Sequence, residues 1–186
     1  MGRSKKKKKA KILLDTPTSQ RQHQQLNQPS NCFEGERLLG LLQSIRREME
    51  TAKLMQGTLP EKVWIKQQFS IGVNDVTRVL ERMEPISESG KATQDSTLGC
   101  GGCNDSSLQL QAVLLSSNCN PRWLAKHVPS LASSRGVPVI FVKDKKGGSL
   151  ALGELVKLKT AIAIGIKAKG SGINKLAAEI LEKIEA

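Results

Sequence analysis

The sequence predicts a single α/β domain in which helices cover both faces of one sheet. Its 186 residues correspond to about one domain at a typical size of roughly 150 residues. From residue 108 onward, three apolar runs of strand character alternate with segments of helical periodicity. The predicted helices before residue 85 have apolar stripes that must be buried against another apolar surface, which the same sheet can provide. Because alternating strands and helices usually form parallel sheets, these patterns alone favour a parallel sheet.

Residues 1–33 are predicted to be a disordered basic tail and linker. Seven of the first eleven residues are lysine or arginine, and residues 12–32 are rich in Gln, Ser, Thr, Asn and Pro. Such a basic run repels itself and is typical of nuclear targeting signals or of tails that contact nucleic acid. A tail that only keeps the protein in solution is the alternative.

Residues 34–59 are predicted to form an N-terminal helical extension. Apolar residues recur there at three- and four-residue steps, and Gly57 and Pro60 end the helix. This apolar stripe can pack either on the protein's own sheet or on another subunit. Its members are Leu38, Leu41, Leu42, Ile45, Met49 and Ala52.

The remaining residues, 60–186, are predicted to form the sandwich itself. A short helix follows Pro60, and a second one runs from Asn74 to about Met83. After residue 108 a helix begins at Pro121, with Pro129 as a kink. The other predicted elements are strands at Leu108–Leu115, Val137–Val142 and Thr160–Lys167 and helices at Leu150–Val156 and Ile173–Glu185.

Residues 85–107 interrupt every pattern and are predicted to be a flexible insertion. Cys100 and Cys103 have the spacing of zinc ligands, and Cys119 follows, but a fourth ligand is missing. A redox pair and a plain loop are the other interpretations. We therefore expect no metal and no cofactor.

The charge and composition narrow the class of partner. The formal net charge is +12, which indicates a polyanionic partner. Residues 135–175 contain nine basic and two acidic residues, a net charge of +7, and form a candidate binding face. Aromatic residues make up only 3% of the chain, which argues against modules that stack several bases on a sheet. No apolar run is long enough to span a bilayer and no signal peptide is recognisable, so we expect no membrane partner and a reducing compartment.

The sequence offers no set of residues for catalysis. His127 lies in an apolar helical segment and is not accompanied by a nucleophile motif. Gly170-Ser171-Gly172 precedes a helix, but Lys175 stands where a dinucleotide loop has its third glycine. At most, this helix start contacts a phosphate. We expect a protein that is not an enzyme and has no small-molecule substrate.

A polar trio at a helix start is the clearest binding signal. In the run Gly72-Val73-Asn74-Asp75-Val76-Thr77-Arg78, Asn74 and Arg78 are four residues apart and share one helix face. Arginine can pair with guanine O6 and N7, an amide offers a donor and an acceptor, and a carboxylate accepts from amino groups. Ordinary N-capping by Asn74 and Asp75 is the alternative.

Three segments of the chain resemble the kink-turn-binding ribosomal protein family. They are residues 72–83, the Arg135–Val139 strand and Leu152-Gly153-Glu154-Leu155. The resemblance covers roughly residues 60–185, and within the family residues 69–82 are most similar to the kink-turn-binding subunit of ribonuclease P and MRP particles. It implies a three-layer α-β-α sandwich with a mixed sheet, which replaces the parallel sheet. The disordered basic tail and the N-terminal helix precede this sandwich.

The resemblance also implies which residues contact RNA. The helix start, Gly72, Asn74, Asp75 and Arg78, would read sheared G·A pairs. The loop Lys157, Leu158, Lys159 and Thr160 would hold a flipped-out nucleotide. Two positions depart from the family pattern: Asp75 stands where glutamate is commoner, and the loop carries lysines, which shifts it towards phosphate contact.

The sequence therefore predicts a non-catalytic RNA-binding subunit of a ribonuclease P/MRP-like ribonucleoprotein. Its partners would be kinked, structured RNA and other subunits of the particle, in tRNA and rRNA processing. Its location would be the nucleus, in particular the nucleolus. A ribosomal or small nucleolar particle protein is the first alternative. A protein-interaction adaptor of the same fold that has lost RNA binding is the second.

Overall fold

A computed structural model describes residues 31–55, 59–86 and 109–185. The predicted tail up to residue 30, residues 56–58 of the predicted extension and residues 87–107 of the predicted insertion, with Cys100 and Cys103, lie outside the described residues. The strands are β1 (Cys32–Glu34), β2 (Phe69–Ile71), β3 (Leu110–Ser116), β4 (Val139–Lys143) and β5 (Ala163–Lys167). The helices are α1 (Glu36–Met55), α2 (Glu61–Gln68), α3 (Val73–Arg82), α4 (Val128–Ser134), α5 (Gly148–Leu155) and α6 (Gly172–Glu185), with a 3₁₀ helix at Arg122–Ala125.

The five strands form one mixed sheet in the order β1-β4-β3-β5-β2. β1, β4 and β3 are parallel, whereas β5 is antiparallel to both β3 and β2. The mixed sheet is confirmed, and the parallel sheet favoured by the alternation alone is wrong. β5 runs against β3 because it begins at the same end of the sheet at which β3 and β4 finish. At that end Ala163, the first residue of β5, lies opposite Leu115 of β3.

Both faces of the sheet are covered, which confirms the three-layer sandwich. Along β3, Ala112 and Leu114 enter one apolar cluster, and Val113 and Leu115 enter the other. The first cluster takes its helical side chains from α1, α2, α5 and α6. The second is covered by α3, the 3₁₀ helix and α4. This alternation buries both sides of the central strand.

The stripe of α1 packs on the protein's own core. Its four buried side chains, Leu38, Leu41, Ile45 and Met49, belong to the first cluster. On the outer side of the helix, Arg46 Nη2 lies 3.2 Å from Glu154 Oε1 of α5. Of the two alternatives for this stripe, the structure therefore shows the internal one.

Short strands account for most of the differences from the predicted elements. Cys32 and Phe33, predicted to end the linker, lie in the edge strand β1. Phe69, predicted to belong to a helix, begins β2. The single helix predicted from Pro121 is two helices, because Pro129 lies in the first turn of α4, where its missing N–H leaves no helical hydrogen bond unmade. The bounds of α3, α5, α6 and of β3, β4 and β5 agree with the prediction within three residues.

The turn before α6 is closed by a buried asparagine. Asn174 Oδ1 accepts from the backbone N–H groups of Ser171 at 2.9 Å and Lys169 at 3.2 Å. Its Nδ2 donates to the Lys167 carbonyl at 2.8 Å. The Glu48 carboxylate also faces this helix start, with Oε2 only 2.6 Å from where a Cβ on Gly172 would lie. The start of α6, for which the sequence predicted at most a phosphate contact, therefore faces the carboxylate of Glu48.

Candidate nucleic-acid interface

The start of α3 and the start of β5 meet at one end of the sheet. Ile71, the last residue of β2, pairs with Ile164 of β5. The next residue, Gly72, donates its N–H to the Ala163 carbonyl at 2.8 Å. Because the 157–160 loop leads into β5, the two predicted halves of the site are brought to the same end of the fold.

The apolar spacing of α3 leaves the polar trio on the outside. Val73, Val76, Val79 and Leu80 are buried against the second cluster, while Asn74, Asp75 and Arg78 are exposed. Gly72 is the N-cap, with a φ of +94° that favours glycine and without a side-chain capping hydrogen bond. Asn74 and Asp75 therefore lie in the first turn of α3 and not at its N-cap.

Arg78 and Asp75 form a loose pair across one turn of α3. Their nearest charged atoms, Nη1 and Oδ1, are 3.9 Å apart, and the two side chains are 71% and 60% exposed. An exposed pair of this kind contributes little to stability and costs little to break. The guanidinium is thus available to another acceptor.

The 157–160 loop is folded against α5. The Leu158 N–H donates to the Gly153 carbonyl at 2.8 Å, and the Ala161 N–H donates to the Ser149 carbonyl at 2.8 Å. A side chain on Gly153 would collide with the loop backbone, since its Cβ would lie 2.6 Å from Thr160 Cα. All four predicted loop residues, Lys157, Leu158, Lys159 and Thr160, are exposed.

Glu61 of α2 links the loop to the N-terminal helices. Its Oε1 lies 2.6 Å from Lys157 Nζ and 2.8 Å from Lys53 Nζ of α1. The hydrogen bonds from Lys157 and then Lys53 lower the pKa of the Glu61 carboxyl to about 2. The Lys157 charge is thus already paired, whereas Lys159 has no carboxylate partner within the described ranges.

This depressed pKa predicts a dependence of stability on acid pH. Glu61 stabilises the folded state fully above its ordinary pKa of 4.5, and this stabilisation is lost as the pH falls through 4.5 towards 2. In Glu61→Gln we therefore expect a smaller loss of unfolding free energy between pH 5 and about pH 2 than in wild type, measured by urea denaturation followed by circular dichroism. Glu50→Gln on the exposed side of α1 is the control and should retain the wild-type profile. Equal profiles for wild type and Glu61→Gln would contradict the prediction.

A basic turn between β4 and α5 lies at the same end of the sheet, and an asparagine holds it. Asn118 Nδ2 donates to the Asp144 carbonyl at 2.8 Å, and its Oδ1 accepts from the Gly148 N–H at 2.9 Å. The turn between these two anchors exposes Lys145 and Lys146. The lysines were noted from the sequence, but the role of Asn118 was missed, because its partners lie 26 and 30 residues further along the chain.

The basic stretch from Arg135 to Lys175 does not form one face. Lys145, Lys146, Lys157 and Lys159 belong to the loops at the end of the sheet where Leu115 pairs with Ala163. Lys167 pairs with Leu110 at the opposite end, with Lys169 and Lys175 following it. Burial and the neighbouring Lys169 lower the pKa of Lys167. The expectation of a single basic face is wrong, because β5 carries the chain from one end of the sheet to the other.

His127 links the helices of the second face. Its Nε2 lies 2.9 Å from Thr77 Oγ1 of α3. Within the described ranges, Cys32 and Cys119 are free thiols, and no three His, Cys, Asp or Glu residues are grouped as metal ligands. Among the helices that the structure describes, none is both long and apolar enough to cross a membrane.

Comparison with known proteins gives the following matches. Residues 106–175 match the Ribosomal protein L7Ae/L30e/S12e/Gadd45 family. The solved structure of the Giardia lamblia 15.5kD RNA binding protein aligns with a TM-score of 0.51 and 19% identity, over 82% of this chain and 92% of that one. The structure of a protein with unknown function from Bacillus halodurans aligns with a TM-score of 0.43 and 16% identity, over 80% of this chain and 97% of that one. The fold is thus shared with the Giardia protein, and the stretch from β3 to the start of α6 is similar to the L7Ae/L30e/S12e/Gadd45 family, in agreement with the resemblance seen in the sequence.

Proposed function

We propose that this protein binds kinked, structured RNA as a non-catalytic subunit of a ribonucleoprotein. The observation that carries the proposal is the exposure of Asn74, Asp75 and Arg78 on one helix start beside the 157–160 loop. The net charge of +12, the match of residues 106–175 and the fold shared with a protein described as RNA-binding support it.

Each group at this end of the sheet has a matching partner on RNA. The Arg78 guanidinium pairs with guanine O6 and N7, the Asn74 amide supplies a donor and an acceptor, and Asp75 accepts from a base amino group. Lys145, Lys146 and Lys159 neutralise phosphates. Lys157, already bound to Glu61, positions the loop. Because these contacts are made only with the bent RNA, binding stabilises the bent form. The stabilisation equals the difference in binding free energy between the bent and the unbent RNA.

The proposal extends to the particle. The protein acts in a ribonuclease P/MRP-like particle in tRNA and rRNA processing, in the nucleus and in particular the nucleolus, with the residues that precede β1 as a basic tail and linker. The resemblance of residues 69–82 and the lysine-rich first eleven residues support this assignment. Residues 85–107 as an insertion belong to the same proposal, whereas α1 folds with the sandwich, because its apolar side chains are buried in the first cluster.

Arg78→Ala tests the helix-start assignment. Loss of a bidentate contact to guanine costs ~1–3 kcal/mol. We therefore expect Arg78→Ala to weaken binding to a kink-turn RNA by this amount and to remove the preference over an RNA in which the G·A pairs are replaced by Watson–Crick pairs. Lys159→Ala is the matched control, since loss of a phosphate contact weakens both RNAs equally. Equilibrium binding to the two labelled RNAs measures all four affinities.

Two outcomes would contradict the proposal at different levels. Retained discrimination by Arg78→Ala would show that the start of α3 is not the reading element. Wild-type protein that binds neither RNA, yet recovers nuclear proteins, would favour the adaptor. Recovery of ribosomal or small nucleolar RNA alone with the tagged protein would favour a ribosomal or small nucleolar particle over the ribonuclease P/MRP particle.

A further inference from the structure

The two tryptophans of the chain lie in opposite environments. Trp64 of α2 is 2% exposed and belongs to the first apolar cluster, whereas Trp123 in the 3₁₀ helix is 71% exposed. Burial of an indole is strongly favourable, so a tryptophan left this open in the free protein is a candidate contact residue. Trp123 belongs to neither of the two apolar clusters.

Trp123 stands between two grooves. One lies between Trp123, Lys126, His127 and Leu131 on the α4 side. The other lies between Trp123, Ser116, Ser117 and Phe141 on the sheet side. Neither groove is lined by an aspartate or glutamate among the described residues, and Lys126 lines both. The surroundings of the indole are therefore neutral to basic, which suits an anionic partner.

Contacts connect this surface to the proposed RNA site. Ser116, which lines the second groove, donates its N–H to the Ile162 carbonyl at 2.9 Å, two residues after the 157–160 loop. His127, which lines the first groove, reaches Thr77 at 2.9 Å, next to Arg78 on α3. Trp123 thus lines two grooves whose other lining residues contact α3 and the segment that follows the 157–160 loop.

We infer that Trp123 is a stacking platform for an unpaired base of the bound RNA, with Lys126 contacting the adjoining phosphate. The inference rests on the proposed function and adds a contact of a different kind to it. Every base has a π-face, so an indole stacks on bases with little dependence on their identity. Low aromatic content argues against a sheet covered by stacked bases, but it is compatible with a single exposed indole beside a lysine.

Mutation tests the contact directly. Stacking of one base is worth ~1–3 kcal/mol, so Trp123→Ala should weaken binding of a kink-turn RNA with unpaired flanking nucleotides about 5- to 150-fold. Trp123→Phe keeps a ring and should retain most of the affinity. Lys126→Ala should reduce the slope of affinity against salt by about one phosphate contact. Leu54→Ala, an 85% exposed apolar residue at the end of α1, is the matched control and should bind like wild type.

Single abasic substitutions along the unpaired nucleotides locate the base. At one position the abasic RNA should bind wild type and Trp123→Ala equally, because the partner of the indole is gone. Fluorescence gives an independent measurement, since iodide quenches exposed Trp123 while Trp64 is shielded. RNA should protect wild-type fluorescence from iodide and have little effect in Trp123→Phe.

The outcomes separate this inference from the proposed function. If Trp123→Ala binds RNA with wild-type affinity and RNA does not change iodide quenching, the stacking platform is overturned. This holds even if Arg78→Ala abolishes the discrimination between the two RNAs. Protection of Trp123 only by an added protein subunit would overturn it in favour of a protein contact. Failure of wild type to bind RNA at all would overturn both.

Discussion

Ile45→Ala is expected to lower the free energy of unfolding by about 2–5 kcal/mol, the range for large-to-small changes in well-packed cores. Ile45 is 2% exposed and packs in the cluster that joins α1 to the sheet. Removal of its side chain leaves a cavity as well as lost apolar burial. Urea denaturation followed by circular dichroism measures the change, and exposed Ser44→Ala on the same helix should stay within about 0.5 kcal/mol of wild type.

The same packing decides what deletion of α1 would do. A helix that supplies four buried side chains to the core cannot be removed without exposing that core. We therefore expect a protein lacking residues 36–56 to be unfolded, losing RNA and protein partners together. Near-wild-type stability of Ile45→Ala would show that α1 is an independent extension.

Gly153→Ala is expected to destabilise the fold by roughly 1–3 kcal/mol and to weaken RNA binding as well. The new Cβ would lie 2.6 Å from Thr160 Cα, 2.7 Å from Thr160 N and 2.9 Å from the Leu158 carbonyl oxygen. These are backbone atoms, so the clash can be relieved only by displacement of the 157–160 loop or α5. Urea denaturation and binding of the kink-turn RNA measure the two effects.

Gly40→Ala is the control for this substitution. Gly40 lies within α1, and a Cβ there would meet no heavy atom within 4 Å. Alanine is favoured over glycine inside a helix by about 0.5–1 kcal/mol, so Gly40→Ala should be slightly more stable than wild type and bind RNA normally. A Gly153→Ala protein as stable as Gly40→Ala would mean that the loop does not pack closely on α5.

The sequence by itself determined the elements that have a repeating pattern. In α3, the spacing of Val76, Val79 and Leu80 defines the buried face, so Asn74 and Arg78 must lie on the outer one. The long apolar runs likewise predicted β3, β4 and β5, since their period and residue types are local properties. The mixed sheet was predicted only through the family resemblance, because periodicity does not specify strand direction.

Only the tertiary structure decided the contacts between distant segments. β1 and β2 have three residues each, too few for an alternating pattern to be seen, and they exist because neighbouring strands pair with them. Glu61 and Lys157 are 96 residues apart, and Asn118 and Gly148 are 30 apart. The placement of the loop, the division of the basic residues between the two ends of the sheet and the contact of His127 with α3 all depend on such non-local pairing. Short-range patterns in the sequence do not report it.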